Sequence, residues 1–182
     1  MVRRFLPPLA ALSALLSTVP LAAALPVGAT APDFATQGAL DGKPFAFALK
    51  QALRKGPVVL YFYPKAFTQG CTLEAHAFSE ATDDFRKAGA TVIGMSADDL
   101  PTLQKFSTEA CRGKFAVAVA NPAIVRDYDV DLKRGGTSTG LTSRTSYVIA
   151  RDGRIVLVHS DMDYRDHVRL TLEAVRKLKL KR

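Results

Sequence analysis

The sequence of 182 residues contains only two cysteines, Cys71 and Cys111. A zinc ribbon needs about four cysteines at short spacing, and a small disulfide-stabilised scaffold has about six, so neither class fits. The three histidines, His76, His159 and His167, stand singly in the sequence, and each is interpreted as a solvated or hydrogen-bonded side chain. We therefore expect no metal and no cofactor. The cysteines form either a structural disulfide or a redox-active pair, and composition does not decide between these.

The sequence has few acidic residues relative to basic ones: 17 Asp and Glu against 25 Lys and Arg, which gives a formal net charge of +8. Much of this excess lies in residues 176–182. Such a tail can contact nucleic acid or an anionic membrane. However, no aromatic side chain is interleaved with these charges, as a surface for single-stranded nucleic acid requires. We interpret the tail as a solvated helix end, where cations suit the dipole, and expect no nucleic-acid partner.

Only the N-terminal apolar run is long enough to span a bilayer. Residues 1–4 carry two arginines, residues 5–24 carry no charge, and the run ends on three alanines. This is the layout of a secretory signal peptide. A retained membrane anchor is the alternative, but three prolines interrupt the run. We predict a signal peptide at 1–24, cleavage near Ala24, a mature domain at 25–182 that does not enter the membrane, and a periplasmic location.

Strand and helix patterns alternate along the mature chain, without an internal repeat. A lead-in with turns at 25–44 precedes an apolar run at 58–63, which suits a strand buried on both faces. Leu73, Phe78 and Phe85 then fall at helical spacing. Further strands are predicted at 91–96, 115–119, 145–150 and 155–159, and helices at 47–54, 71–88, 98–110, 122–128 and 165–180. This order predicts one α/β domain, a thioredoxin-like sandwich with a central mixed sheet and helices on both faces.

Cys71 occupies a position that suits a reactive thiol, at the start of the helix that follows the buried strand. The first turn of a helix offers unpaired N–H groups and the positive end of the dipole, and both favour a thiolate. The thiolate is the form of cysteine that attacks an O–O bond. Thr68 can donate a hydrogen bond to the sulfur or to a peroxide oxygen, and it can accept one from the O–H of the substrate. Pro64 ends the strand and stiffens the intervening loop.

The pattern Pro64-x-x-x-Thr68-x-x-Cys71 resembles the active-site motif of the peroxiredoxins. The surrounding run from Tyr61 to Glu74 is similar to the bacterioferritin-comigratory, or peroxiredoxin Q, branch, and the similarity extends from residues 27–34 to the final helix. It implies a thioredoxin-like fold and a thiol-dependent peroxidase that reduces hydrogen peroxide and organic hydroperoxides.

The same resemblance implies the rest of the site and the reaction. An arginine from a later strand completes the site in that family, and residues 143–149 match the corresponding segment, which points to Arg144; the alternative is a surface arginine at a strand start. Cys71 would attack the peroxide and become a sulfenic acid, and a second thiol would then form a disulfide. An external thiol reductant, thioredoxin-like or other, would reopen it. We expect a monomer or a weak dimer.

The sequence departs from many members of this branch at one position, because His76 stands where they carry a resolving cysteine. Cys111, the other thiol of the chain, lies near the end of the next predicted helix, at 98–110, and other members of the branch place a resolving cysteine in that helix. A bridge to Cys71 would need the two Cα atoms within about 7 Å. Alternatively, Cys111 is a small buried core residue, and Cys71 uses an outside thiol in a one-cysteine cycle.

Two other functions remain possible from the residues alone. A thiol–disulfide oxidoreductase of thioredoxin type has Cys-x-x-Cys at the helix start, but Thr68 stands here where its first cysteine would be. An exported redox or binding module without enzymatic activity would use Cys71 and Cys111 as a structural disulfide.

Overall fold

The computed structural model describes residues 24–180. Residues 1–23 of the predicted signal peptide lie outside the described residues. The strands are β1 (Ala35–Leu40), β2 (Lys43–Ala48), β3 (Val58–Phe62), β4 (Thr91–Ser96), β5 (Ala116–Val119), β6 (Asp131–Arg134), β7 (Thr137–Thr142), β8 (Thr145–Ile149) and β9 (Ile155–Ser160). The α-helices are α1 (Leu49–Lys55), α2 (Gln69–Lys87), α3 (Leu100–Glu109), α4 (Pro122–Asp127) and α5 (His167–Leu180), and a 3₁₀ turn at Tyr164–Asp166 precedes α5.

The central sheet is mixed, as the sequence predicts. Seven strands lie in the order β2–β1–β5–β4–β3–β8–β9. The three central strands β5, β4 and β3 are parallel, while β1, β8 and β9 run antiparallel to their neighbours. All five residues of β3 are buried, which explains its uninterrupted apolar sequence. A short loop connects the end of β3 to the start of α2, and Cys71 therefore lies near the carboxyl end of β3.

Helices cover both faces of the sheet, and the predicted thioredoxin-like fold is confirmed. On one face of the sheet, α2, α3 and α5 pack through a cluster that includes Tyr61, Phe78 and Phe106. On the other face, α1 and α4 pack through a second cluster, which includes Leu49 and Ile124. Within the described residues, no helix has the length and apolar character needed to cross a membrane.

Local features of the structure differ from the sequence predictions. The hairpin of β6 and β7 was missed, because its sequence is polar and most of its residues are exposed, so it lacks the apolar alternation that marks a half-buried strand. On α2, Phe78 and Phe85 are buried as their spacing predicts, but Leu73 is not. Leu73 is 41% exposed, whereas Glu74 is fully buried beside Phe78 and Phe85 on the face that contacts the sheet. The helix is therefore turned so that a carboxyl group, rather than Leu73, enters the interior.

Candidate active site

Cys71 lies in the first turn of α2 and is almost completely buried, with 1% of its surface exposed. Thr68 is the N-cap residue of this helix. The first backbone N–H groups of a helix have no partner within the helix, so the turn that carries Cys71 is the positive end of the helix dipole. Cys71 is a free thiol, as is Cys111.

The loop between β3 and α2 is fixed at two points. The N–H of Ala66 donates to Asp98 Oδ2 at 2.7 Å. Phe67 has a positive φ of 63°, which is unusual for a side chain of this size, and its ring meets Phe106 edge-on with centroids 5.2 Å apart. These contacts hold the loop that carries Pro64 and Thr68.

Pro64 and Thr68 sit on this loop in different surroundings. Pro64 is half-buried two residues after the end of β3, while Thr68 is exposed. The Thr68 hydroxyl donates to the carbonyl oxygen of Lys65 at 3.0 Å and makes no capping bond to α2. Its oxygen therefore keeps acceptor capacity for a further ligand.

Arg144 lies beside Cys71, as the sequence resemblance implied. Its Nη2 donates to Cys71 Sγ at 3.5 Å, and its Nε donates to the carbonyl oxygen of Met162 at 3.0 Å. Gly70 permits this approach, because a Cβ at that position would lie 3.3 Å from Nη2. A fixed guanidinium favours a thiolate and can bind a peroxide oxygen in front of it.

Glu74 is a member of the site that sequence reasoning missed. Its Oε2 forms a buried ion pair with Arg144 Nη1. Burial raises the pKa of Glu74, and the adjacent guanidinium opposes that shift. Burial would lower the pKa of Arg144, but the charges of Glu74 and Cys71 outweigh this effect and raise it. The spacing of Cys71 and Glu74, three residues apart on one helix, was the signal available in the sequence.

His167, at the start of α5, is fully buried behind this ion pair. Its Nε2 lies 3.0 Å from the carbonyl oxygen of Asp161, and its Nδ1 lies 2.8 Å from the Ser146 hydroxyl. A carbonyl oxygen only accepts, so Nε2 carries the proton and Nδ1 accepts from Ser146. Burial lowers the pKa of His167 to about 4, which agrees with a neutral ring.

This burial predicts a pH-dependent contribution of His167 to stability. The pKa falls from 6.5 to about 4 on folding, so between these values the unfolded chain binds the proton more tightly and stability decreases as pH falls. The shift corresponds to at most about 3 kcal/mol. We expect the loss of unfolding free energy between pH 7 and pH 4.5, measured by urea titration, to be smaller in His167→Gln than in wild type. An equal loss in both proteins would contradict a neutral, buried His167.

Cys111 is also buried, directly after the end of α3. Burial raises the pKa of its thiol well above the ordinary value. Both cysteines contribute to raising the pKa of the buried Tyr61 and Tyr63, after the larger effect of burial. The two thiols therefore border the same part of the core. In the state described, Cys111 is protonated and shielded from solvent.

Within residues 24–180, no group of three or more His, Cys, Asp or Glu side chains is placed to hold a metal ion. The chemistry available at the site is that of a buried thiol, a guanidinium, a carboxyl group and a loop hydroxyl.

Comparison with known proteins gives consistent matches. A sequence profile of the AhpC/TSA family matches residues 27–158. The chain is 33% identical over 154 residues to the putative peroxiredoxin bcp of Helicobacter pylori strain J99, a match that covers 83% of this chain and 98% of that protein. Among solved structures, peroxidoxin BcpB of Mycobacterium tuberculosis is 30% identical with a TM-score of 0.71, covering 84% of this chain and 97% of its own. Peroxiredoxin Q of Xanthomonas campestris is 25% identical with a TM-score of 0.69, covering 79% and 90%.

Proposed function

The chain belongs to the AhpC/TSA family, in its bacterioferritin-comigratory or peroxiredoxin Q branch, and is a thiol-dependent peroxidase; we propose that Cys71 is the thiol that attacks the peroxide. The observation that carries this assignment is the distance of 3.5 Å between Arg144 Nη2 and Cys71 Sγ, at the N-terminus of a long helix. Both the cation and the helix end favour the thiolate. The rival assignment, a thioredoxin-type oxidoreductase, is not favoured by the family matches.

In the proposed reaction, the Cys71 thiolate attacks one oxygen of the peroxide. An S–O bond forms and the O–O bond breaks, so that sulfur is oxidised to a sulfenic acid and the leaving oxygen departs, with a proton, as water or an alcohol. Arg144 stabilises the negative charge that develops on the peroxide oxygens. The Thr68 hydroxyl, which is exposed and has an unused acceptor site, receives the O–H of the incoming peroxide. Pro64 limits access of water to the sulfur from the loop side.

The substrates are proposed to be hydrogen peroxide and organic hydroperoxides, and the electrons to come from an external thiol. The test is peroxide consumption by the reduced mature chain with dithiothreitol, using hydrogen peroxide and cumene hydroperoxide in turn. Turnover of at least one of the two is expected. A chain that consumes neither while its thiols remain alkylatable would refute the proposed reaction.

We also propose that Cys111 resolves the sulfenic acid. Cys111 lies in a turn in which Arg112 and Gly113 both have positive φ, so it is outside the regular helix and needs only local opening to move. The first turn of α2 must also unwind, because both thiols are buried. In this scheme the Cys111 thiol attacks the sulfenic sulfur, a disulfide forms, and water leaves.

Intact-mass analysis after one equivalent of peroxide tests the role of Cys111. We expect a loss of two hydrogen atoms and the disappearance of both alkylatable thiols. An added oxygen atom that persists, with Cys111 still alkylatable, would instead indicate a one-cysteine cycle with an outside thiol. Cys111→Ser is the matched control, because it must give the added oxygen whichever scheme holds.

Export and assembly are further proposals. A cleaved signal peptide at residues 1–24 and a periplasmic location are supported by the basic start and uncharged apolar run, and by the family match, which begins at residue 27. Expression in a Gram-negative host should give a periplasmic protein whose N-terminus is Leu25, whereas intact Met1 in the membrane fraction would indicate an anchor. We propose a monomer or a weak dimer, which sedimentation of the mature chain over a range of concentrations would test.

A further inference from the structure

The side of the Glu74–Arg144 ion pair that faces away from Cys71 contains a contact without an assigned role. Glu74 Oε2 pairs with Arg144, but Glu74 Oε1 is buried and has no hydrogen-bond partner within the part of the chain that the structure describes. The group facing Oε1 is the His167 ring, whose Nδ1 lies 3.7 Å away. A buried carboxyl oxygen without a partner is unfavourable by itself. Its position must therefore be imposed by what surrounds it.

His167 and Arg144 are anchored to the same short segment. The ring Nε2 of His167 donates to the carbonyl oxygen of Asp161. Arg144 Nε donates to the carbonyl oxygen of Met162, and the Arg144 carbonyl accepts from the N–H of Asp161 at 3.2 Å. Displacement of the imidazole would therefore act on Arg144 by two routes, through Glu74 and through this segment.

The ring is enclosed on every side, so its orientation is fixed. His159 of β9 packs against it with ring centroids 4.5 Å apart. Ser146 of β8 bonds to Nδ1. The charged or titratable groups around the ring are those of Glu74, Arg144, His159, Asp161 and Asp166.

From this arrangement we propose that His167 is a positioning residue for the peroxidase reaction: its imidazole confines the Glu74 carboxyl group, and thereby holds the Arg144 guanidinium with Nη2 directed at Cys71 Sγ. The inference rests on the proposed function of Cys71. Without an atom at the position of Nδ1, the Glu74 carboxyl group has space to rotate toward Ser146, and Arg144 follows its partner away from the sulfur. A small displacement of a group that orients a reacting atom is enough to reduce a rate substantially.

Two near-isosteric variants separate this role from a structural one. His167→Asn keeps a polar atom near the position of Nδ1, beside Glu74, but loses the bond to Asp161. His167→Gln keeps a donor near the position of Nε2, toward Asp161, but removes the atom that faces Glu74. If His167 acts through Glu74, the glutamine variant must be the more impaired of the two at Cys71. If His167 only ties α5 to Asp161, the asparagine variant must be the more impaired.

Two rates at pH 7 are measured for wild type and both variants: alkylation of Cys71 by iodoacetamide, which follows the thiolate fraction, and oxidation of Cys71 by hydrogen peroxide. Because burial raises the pKa of Cys111, its thiol contributes little to the alkylation. We expect both rates to fall roughly tenfold in His167→Gln, while His167→Asn keeps at least about a third of the wild-type rates. His76→Gln serves as the matched control outside the network and should react as wild type does.

The unfolding free energy of each variant, measured in urea, shows whether a loss of rate merely follows a loss of stability. Equal rates in all three proteins, or a larger loss in the asparagine variant, would overturn the role assigned to His167. The alkylation rate does not depend on peroxide. If wild-type Cys71 were alkylated but not oxidised by peroxide, the proposed peroxidase reaction would fail, while the comparison of alkylation rates would still decide the role of His167.

Discussion

Replacement of Cys71 by serine is expected to reduce peroxide consumption to the background rate of dithiothreitol alone, a loss of at least about a thousandfold. A serine hydroxyl is not ionised at neutral pH and does not take up an oxygen atom from a peroxide, so neither Arg144 nor the end of α2 can compensate. The measurement is the initial rate of hydrogen peroxide loss in the presence of dithiothreitol.

Cys111→Ser is the matched control for this loss, since it removes the other thiol of the chain. Its first equivalent of peroxide should be consumed at the wild-type rate, because the first step needs only Cys71. Later turnovers depend on how quickly dithiothreitol reaches the sulfenic acid. Undiminished activity in Cys71→Ser, or loss of the first step in Cys111→Ser, would show that Cys71 is not the thiol that attacks the peroxide.

Substitution of Arg144 by lysine is expected to slow oxidation of Cys71 by roughly a hundredfold. The guanidinium makes three directed contacts, to Cys71 Sγ, to Glu74 Oε2 and to the Met162 carbonyl. A lysine ammonium retains the charge but is a compact point charge without the planar fork, so it cannot reproduce these contacts together. The measurement is the second-order rate of reaction with hydrogen peroxide under single-turnover conditions.

Arg154→Lys is the control for this substitution, because Arg154 is exposed in the turn between β8 and β9 and, among residues 24–180, forms an ion pair only with Asp152. Its rate should remain within about twofold of wild type, as is usual for a surface ion pair. An Arg144→Lys variant that is folded and reacts at the wild-type rate would show that charge alone suffices. The contact geometry at Sγ would then have no catalytic role.

The sheet could be predicted from the sequence because burial on both faces produces a continuous apolar run. The run at 58–63 corresponds to β3. Two Asp-Gly dipeptides, which are typical of hairpin turns, stand at residues 41–42 and 152–153, in the turns after β1 and β8. The hairpin of β6 and β7 carries no such signal, since its strands are largely exposed and polar. Surface strands of this kind are held by their backbone pairing, which side-chain patterns do not report.

The part of the site nearest the sulfur could be anticipated, but its supporting residues could not. The position of Cys71 followed from the strand–loop–helix order, and Arg144 followed from the resemblance to a family. Glu74 and His167 were not predicted as site residues, because glutamate and histidine are usually exposed and the sequence does not show that these two are buried. Their burial depends on how α2 and α5 are rotated against the sheet. The apolar spacing of α2 placed Phe78 and Phe85 inside correctly, but it also included the exposed Leu73 and gave no sign of Glu74.

The relation between the two cysteines is a second feature that could not be predicted from the sequence. Spacing along the chain cannot tell whether two thiols meet, because that depends on the fold and on how far it opens. Both thiols are buried and free in the structure, and both border the part of the core that contains Tyr61 and Tyr63. A disulfide therefore requires a rearrangement, whose occurrence the intact-mass experiment reports.

The central claim, that Cys71 is the peroxide-attacking thiol, is tested most directly by trapping its sulfenic acid. The reduced Cys111→Ser chain is treated with one equivalent of hydrogen peroxide in the presence of dimedone, which alkylates sulfenic acids, and its peptides are analysed by mass spectrometry. We expect a dimedone adduct on the peptide that contains Cys71, with a yield that matches the peroxide consumed. Consumption of peroxide without an adduct at Cys71 would contradict the claim.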